Sequence, residues 1–164
     1  MMLILVCGLP GTGKTTVAKR IAMRTKSSLL STDVIRRQLF KKPAYDQKEK
    51  EMVYGELFSR AERSLKNGKN VLVDGTFYMK ELRDKVKKIA EKTGSEFRIV
   101  EVVCGERQIR RRLEKRNKAC SISDADYCVY MKIKEQFEPI VEEHFTINTS
   151  NDIGRQIEKF LKII

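Results

Sequence analysis

The run Gly8-Leu9-Pro10-Gly11-Thr12-Gly13-Lys14-Thr15-Thr16 sets two glycines, a lysine and a hydroxyl at the G-x-x-x-x-G-K-[ST] spacing of a phosphate-binding loop. A polyphosphate needs a concave row of backbone N–H groups. Residues without a Cβ let the main chain close around it, hence Gly8, Gly11 and Gly13. Lys14 would bring a positive charge to the outer phosphates, and the Thr15 hydroxyl stands where it would ligate Mg²⁺. The positive end of the helix that follows adds to the attraction. A glycine-rich turn between strand and helix would explain the glycines but not Lys14 and Thr15 together, so all of Gly8 to Thr16 is assigned to ATP.

Other residues have types that phosphoryl transfer requires. Asp33 is the lone acid among nine basic residues between Lys14 and Lys42, where it could take a proton from an acceptor hydroxyl. It also falls at a helix start, where an Asp serves as a cap. Arg36 follows one helical turn later, so Arg36 or Arg37 could grip an anionic group of the acceptor. Asp74 ends the apolar run Val71-Leu72-Val73 in the form of a Walker B segment; it could hold Mg²⁺ through water or touch the acceptor hydroxyl, and Thr76 extends the same edge. Arg112 and Arg116 are four apart on a basic helix, a spacing that lets a closing lid carry both to the β- and γ-phosphates.

These residues need a frame to hold them, and the hydrophobic pattern supplies one. Met2–Cys7 reads as a strand, Lys14 to about Thr25 as a helix, and Ser28–Ser31 as a second strand. Thr32 is expected to cap a helix carrying Val34, Ile35 and Leu39 that Pro43 ends, and Lys41–Gln47 is a polar connection containing Tyr45. A long helix is predicted from about Lys48 to Lys66, stopped by Asn67-Gly68. Then come a strand at Asn70–Asp74, a helix marked by Met79, Leu82, Val86, Ile89 and Ala90, and a strand at Phe97–Cys104. A basic helix runs from Glu106 to about Arg116 before an unpatterned stretch, Asn117–Ile122. Ser123-x-x-Asp126 would cap a helix containing Ala125, Val129, Ile133 and Phe137. A fifth strand at His144–Asn148 and a helix with Ile153, Ile157, Phe160, Leu161 and Ile164 complete the pattern. Five short apolar strands separated by helices predict an α/β fold, a parallel sheet covered on both faces. Gly8, Asp33 and Asp74 then share the carboxyl-end rim, where open sheets bind ligands.

The 164 residues fit one domain, 1–164, with a lid at about 106–123. Cys7, Cys104, Cys120 and Cys128 form no C-x-x-C pair, and His144 is the one histidine, which excludes a zinc site and most Ser-His or Cys-His nucleophiles. His144 has no evident sequence partner. No apolar stretch approaches a membrane span. Met1–Val6 lacks the charged start of a signal peptide, so a cytoplasmic location is expected. Net charge is +12, and Glu106–Lys118 holds seven basic residues against two acids. This charge suits a nucleotide and a second anion, nucleic acid included, and equally suits a solvated Lys/Glu-rich surface of heat-adapted type.

Gly8–Thr16, Ser31-Thr32-Asp33-Val34-Ile35-Arg36, Val71–Phe77, Arg112-x-x-x-Arg116, Ser123–Asp126 and Phe137-Glu138-Pro139 together resemble the small P-loop kinases related to phage polynucleotide kinase, in the zeta-toxin and adenylylsulfate-kinase-like group. The resemblance implies Asp33 as general base, Arg36 on the acceptor and Arg116 on the ATP phosphates. It departs from adenylylsulfate and gluconate kinases, which usually carry Asp-Gly-Asp where this chain has Ser31-Thr32-Asp33. The reading is an ATP-dependent kinase acting on a hydroxyl, first a polynucleotide or nucleoside 5′-OH. Alternatives are a small-metabolite kinase, an ATPase switch, or a basic nucleic-acid-binding module whose nucleotide site is vestigial.

Overall fold

The computed structural model describes residues 1–118 and 127–164, with backbone alone at 116–118. Part of the expected lid, the Ser123/Asp126 cap and Ala125 therefore lie outside the described residues. Strands β1 (Met2–Cys7), β2 (Ser28–Ser31), β3 (Val71–Asp74), β4 (Glu96–Val103) and β5 (Phe145–Asn148) form one sheet in the order β2-β3-β1-β4-β5. Every pairing is parallel, and the fold class is the α/β sheet that the apolar runs predict.

Helices α1 (Lys14–Thr25), α2 (Thr32–Leu39), α3 (Gln47–Lys66), α4 (Lys80–Lys92), α5 (Glu106–Lys118) and α6 (Tyr127–Gln136) lie in the connections between strands, and α7 (Ile153–Leu161) follows β5. Strand side chains alternate between two apolar cores, as the two-residue period of a strand requires. Leu3, Leu5, Val71, Val73 and Ile99 pack with α3 and α4 residues such as Leu57, Leu65 and Val86. Ile4, Val6, Leu72, Val100 and Val102 pack with Val17 and Ile21 of α1 and with Ile157 and Phe160 of α7. A smaller cluster joins Ile109 and Leu113 of α5 to Tyr130 of α6, with Leu9 of the loop packed against it.

Local chemistry shifts some boundaries. Thr32 is not the cap of α2: Ser31 holds that position, without a side-chain hydrogen bond, and Thr32 is already helical. Helix α3 begins one residue before the expected start, because the Asp46 side chain accepts from the Glu49 N–H. Asn70 precedes β3 instead of opening it. Its side-chain oxygen accepts from Met2 N at 3.0 Å while its carbonyl accepts from Ser28 N at 2.8 Å, which ties the starts of three strands. Phe137 follows α6 rather than lying within it. No helix among the described residues is long and apolar enough to cross a membrane.

Candidate active site

The loop between β1 and α1 leaves the sheet at Gly8, whose φ of +141° and approach to the Val102 carbonyl admit no side chain; an added Cβ would overlap that oxygen. Gly11, at φ +80°, lies under α5, where a Cβ would stand 2.9 Å from Ile109 and 3.1 Å from Leu113. Gly13 caps α1 in the left-handed region, and the helix has neither a side-chain cap nor an acid in its first turn. Its positive end is therefore left for a ligand. Thr12 Oγ1 and Lys14 Nζ both donate to the Leu9 carbonyl, at 2.8 and 2.9 Å, so the lysine lies across the loop. Pro10 is buried within the turn and Thr16 is exposed on the first turn of α1.

Sheet register carries Asp74 to the loop. Asp74 pairs with Val6 on one side and Ser31 on the other, which puts the ends of β1, β2 and β3 on one rim. Thr15 Oγ1 donates to Asp74 Oδ2 at 3.0 Å. Asp74 is 2% exposed, and its Oδ1 has no hydrogen-bond partner. Burial raises its carboxyl above the usual range, against the opposing pull of Lys14 and the Thr15 hydrogen bond, while Asp33 pushes the same way as burial. An orphaned carboxylate oxygen beside a threonine hydroxyl fits a divalent cation whose other ligands are phosphate oxygens and water. Among the described residues, no cluster of three or more His, Cys, Asp or Glu offers another metal site.

Beyond the rim, Asp33 lies in the first turn of α2 and Arg36 one turn later. Arg36 is 8% exposed and Glu49 4%; they form an ion pair, Arg36 NH1 donating to Glu49 Oε1. Arg37 is on the exposed side of the helix. Arg112 is held against the loop's backbone. Its NH1 donates to the carbonyls of Gly11 (3.3 Å) and Thr12 (3.1 Å) and to Thr149 Oγ1 (2.9 Å). Thr149 Oγ1 in turn donates to the Thr12 carbonyl at 2.6 Å. Because a trans peptide sets C=O and N–H in opposite directions, fixing the Thr12 carbonyl also fixes where the Gly13 N–H points. Arg116 is on α5, and its side chain lies outside the described residues.

Three contributors escaped the sequence reading. Glu49 stands in Asp46-x-x-Glu49, a capping-box spacing that could have flagged it. Thr149 and Arg83 have no local signal. Arg83 is 1% exposed and donates to the carbonyls of Phe77, Tyr78, Glu138 and Pro139, joining the β3 exit to the residues after α6. His144, which has no evident partner in the sequence, does have one: Nε2 lies 3.4 Å from Glu101 Oε2. His144 immediately precedes β5, and Glu101 is in register with Cys7 at the end of β1. Cys7, Cys104 and Cys128 are free thiols, and burial pushes the Cys7 thiol up to about 12, which keeps it protonated; Cys120 lies outside the described residues.

The fold recurs in solved structures. Kti12 of Chaetomium thermophilum, in complex with ADP-AlF3, superposes with a TM-score of 0.79 at 21% identity, covering 98% of this chain and 96% of that one. APS kinase CysC of Mycobacterium tuberculosis, in complex with AMPPNP and APS, superposes with a TM-score of 0.74 at 17% identity, covering 99% of this chain and 96% of that one. At such identities the likeness is one of fold. An uncharacterized protein of Mycobacterium tuberculosis is 32% identical across 62% of this chain. The match spans 22% of the length of that larger protein. The AAA_33 family model, described as an AAA domain, matches residues 3–140, a span that holds the loop, the Asp74 rim and α5, and the chain belongs to that family.

Proposed function

We propose that this chain is an ATP-dependent kinase that transfers the γ-phosphoryl group to a hydroxyl, with a nucleoside or polynucleotide 5′-OH as the first acceptor. The observation that carries the reading is the rim itself: Ser31 is in register with Asp74, and Asp33 follows two residues later in the first turn of α2. A second carboxylate therefore stands beside the phosphate loop, on the side of α2.

In this reading Gly8 to Thr16 cradle the ATP phosphates and Lys14 offsets the charge on the transferred group. Thr15 and Asp74 would hold Mg²⁺, which when bound neutralises phosphate charge and orients the oxygens. Asp33 accepts the proton of the acceptor hydroxyl. Arg36, fixed by Glu49, faces the acceptor, and Arg116 serves the ATP phosphates. Arg112 acts one step back by shaping the loop, so its loss should weaken ATP binding more than it slows transfer.

Incubation with labelled ATP and a panel of 5′-OH oligonucleotides, nucleosides and sugars tests the reading. Asp33→Asn should keep ATP affinity and lose about 10²- to 10⁴-fold in kcat, the usual contribution of a general base. Full activity in that variant would remove Asp33 from this role, and ATP hydrolysis with no transfer to any acceptor would overturn the kinase.

A further inference from the structure

The connection 40–46 between α2 and α3 ends in a feature that phosphate chemistry leaves unused. Tyr45 adopts φ +58°, in the left-handed region that few residues other than glycine enter. Glu49 holds it there: Oε2 accepts from the Ala44 N–H at 2.6 Å and the Tyr45 N–H at 3.2 Å, while Oε1 takes Arg36. A buried carboxylate thus fixes two peptides and one guanidinium at once. The Tyr45 ring lies over that guanidinium, 4.8 Å from its carbon, yet the residue is 48% exposed. Strain and a buried ion pair are here maintaining an aromatic ring at the surface, where burial gives it no reward.

The ring is close to the reaction rim. The ring lies over Arg36, which is one turn from Asp33 on α2. On α3, Lys50, the residue after Glu49, donates from Nζ to Tyr78 Oη at 2.9 Å, at the hydroxyl edge of that ring. Lys41 and Lys42 are exposed on the same connection. A cation behind an aromatic ring draws π density toward itself, so the outer face favours an electron-rich heterocycle and disfavours another cation. Two torsions govern a tyrosine side chain, so stacking would cost little ordering.

We propose that Tyr45, backed by Arg36 and locked by Glu49, stacks on a planar ring of the phosphoryl acceptor and is the residue that selects heterocycle-bearing acceptors over open-chain ones. The proposal rests on the kinase reading above, with the acceptor side placed at α2. A free nucleoside and the end of a nucleic-acid strand present the same ring, and the exposed lysines would add affinity only for the strand, with a dependence on salt.

The test uses the whole chain with thymidine, a 5′-hydroxyl hexathymidylate and sorbitol as acceptors. Base–aromatic stacking predicts that Tyr45→Leu raises KM for thymidine and the oligonucleotide by about 5- to 100-fold. Its kcat, its KM for ATP and its KM for sorbitol should stay within about twofold, and Tyr45→Phe should restore KM. A lower KM for hexathymidylate than for thymidine, lost at high salt, identifies the strand end; equal values identify the nucleoside. Equal losses for all acceptors and ATP would show a merely structural role and overturn the proposal, as would unchanged KM in Tyr45→Leu. Calorimetric binding of 5′-deoxythymidine, which has no hydroxyl to phosphorylate, separates this idea from the kinase reading. Binding to the native chain that Tyr45→Leu abolishes upholds the ring site even if no acceptor turns over, and absence of binding to the native chain overturns it.

Discussion

At Asp74 the fold keeps one carboxylate oxygen on the Thr15 hydroxyl and leaves the other with no hydrogen-bond partner in a residue 2% exposed. The carboxyl is raised despite Lys14, so burial outweighs every favourable contact and the ionised form is a net cost in the absence of nucleotide. Asp74→Asn should therefore stabilise the nucleotide-free chain. A gain of about 1 kcal/mol would raise Tm by about 2–4 °C at this size, and the variant should lose the Mg²⁺-dependent part of its ATP affinity. Calorimetric melts with titrations of ATP in Mg²⁺ and in EDTA would show both; a lower Tm would mean that the carboxylate is a structural tie. Gly8, Lys14, Thr15 and Asp74 were legible in the sequence because their chemistry is set by spacing within a few residues of a strand end. The Arg36–Glu49 pair was not, since its members are joined only when α3 folds back on α2.

Helices α3 and α4 are joined by more than their apolar stripes. Glu62 of α3 pairs with Lys66 one turn on, at 2.6 Å, and with Lys92 at the end of α4, at 2.8 Å. Hydrogen bonds from the two lysines bring its carboxyl down to about 2 from an ordinary 4.5. A lowered folded-state value means stability that is present above 4.5 and lost as pH falls toward 2. Glu62→Gln should therefore show a shallower decline of Tm across that window than the native chain, and the difference should shrink in 1 M NaCl because the groups meet solvent. Identical acid limbs would show that the pair contributes nothing measurable. The periodicity of α3 and α4 predicted their extents closely, and strand boundaries came within a residue because each strand is a short apolar run bracketed by polar residues. Helix starts were less legible. The shift from Thr32 to Ser31 at α2 depends on backbone angles, whereas the Asp46 cap of α3 is a local bond to Glu49 N–H that the Asp46-x-x-Glu49 spacing could have signalled.

Over the whole molecule, apolar runs separated by helices established a parallel sheet, while the order β2-β3-β1-β4-β5 emerges only once crossovers and register are known. That order sets the loop after β1 beside the end of β3, and lets α5 and the residue after β5, Thr149, close on the loop's outer side. Bound nucleotide would therefore be held by segments from residue 8 to residue 149, and its binding free energy should appear as global stability. At a hundredfold excess over Kd, Mg·ATP should add about 2.7 kcal/mol, or about 5–11 °C in Tm at this chain length. The net charge of +12 offers a competing cause, because any polyanion or salt relieves self-repulsion in so basic a chain. Lys14→Ala separates the two. It lowers the net charge by a single unit, so general screening would leave most of the shift in place, whereas binding at the loop would remove it. NaCl at matched ionic strength should give little stabilisation to either form. An equal shift in the native chain and in Lys14→Ala would assign the effect to the charged surface and withdraw the loop as the nucleotide site.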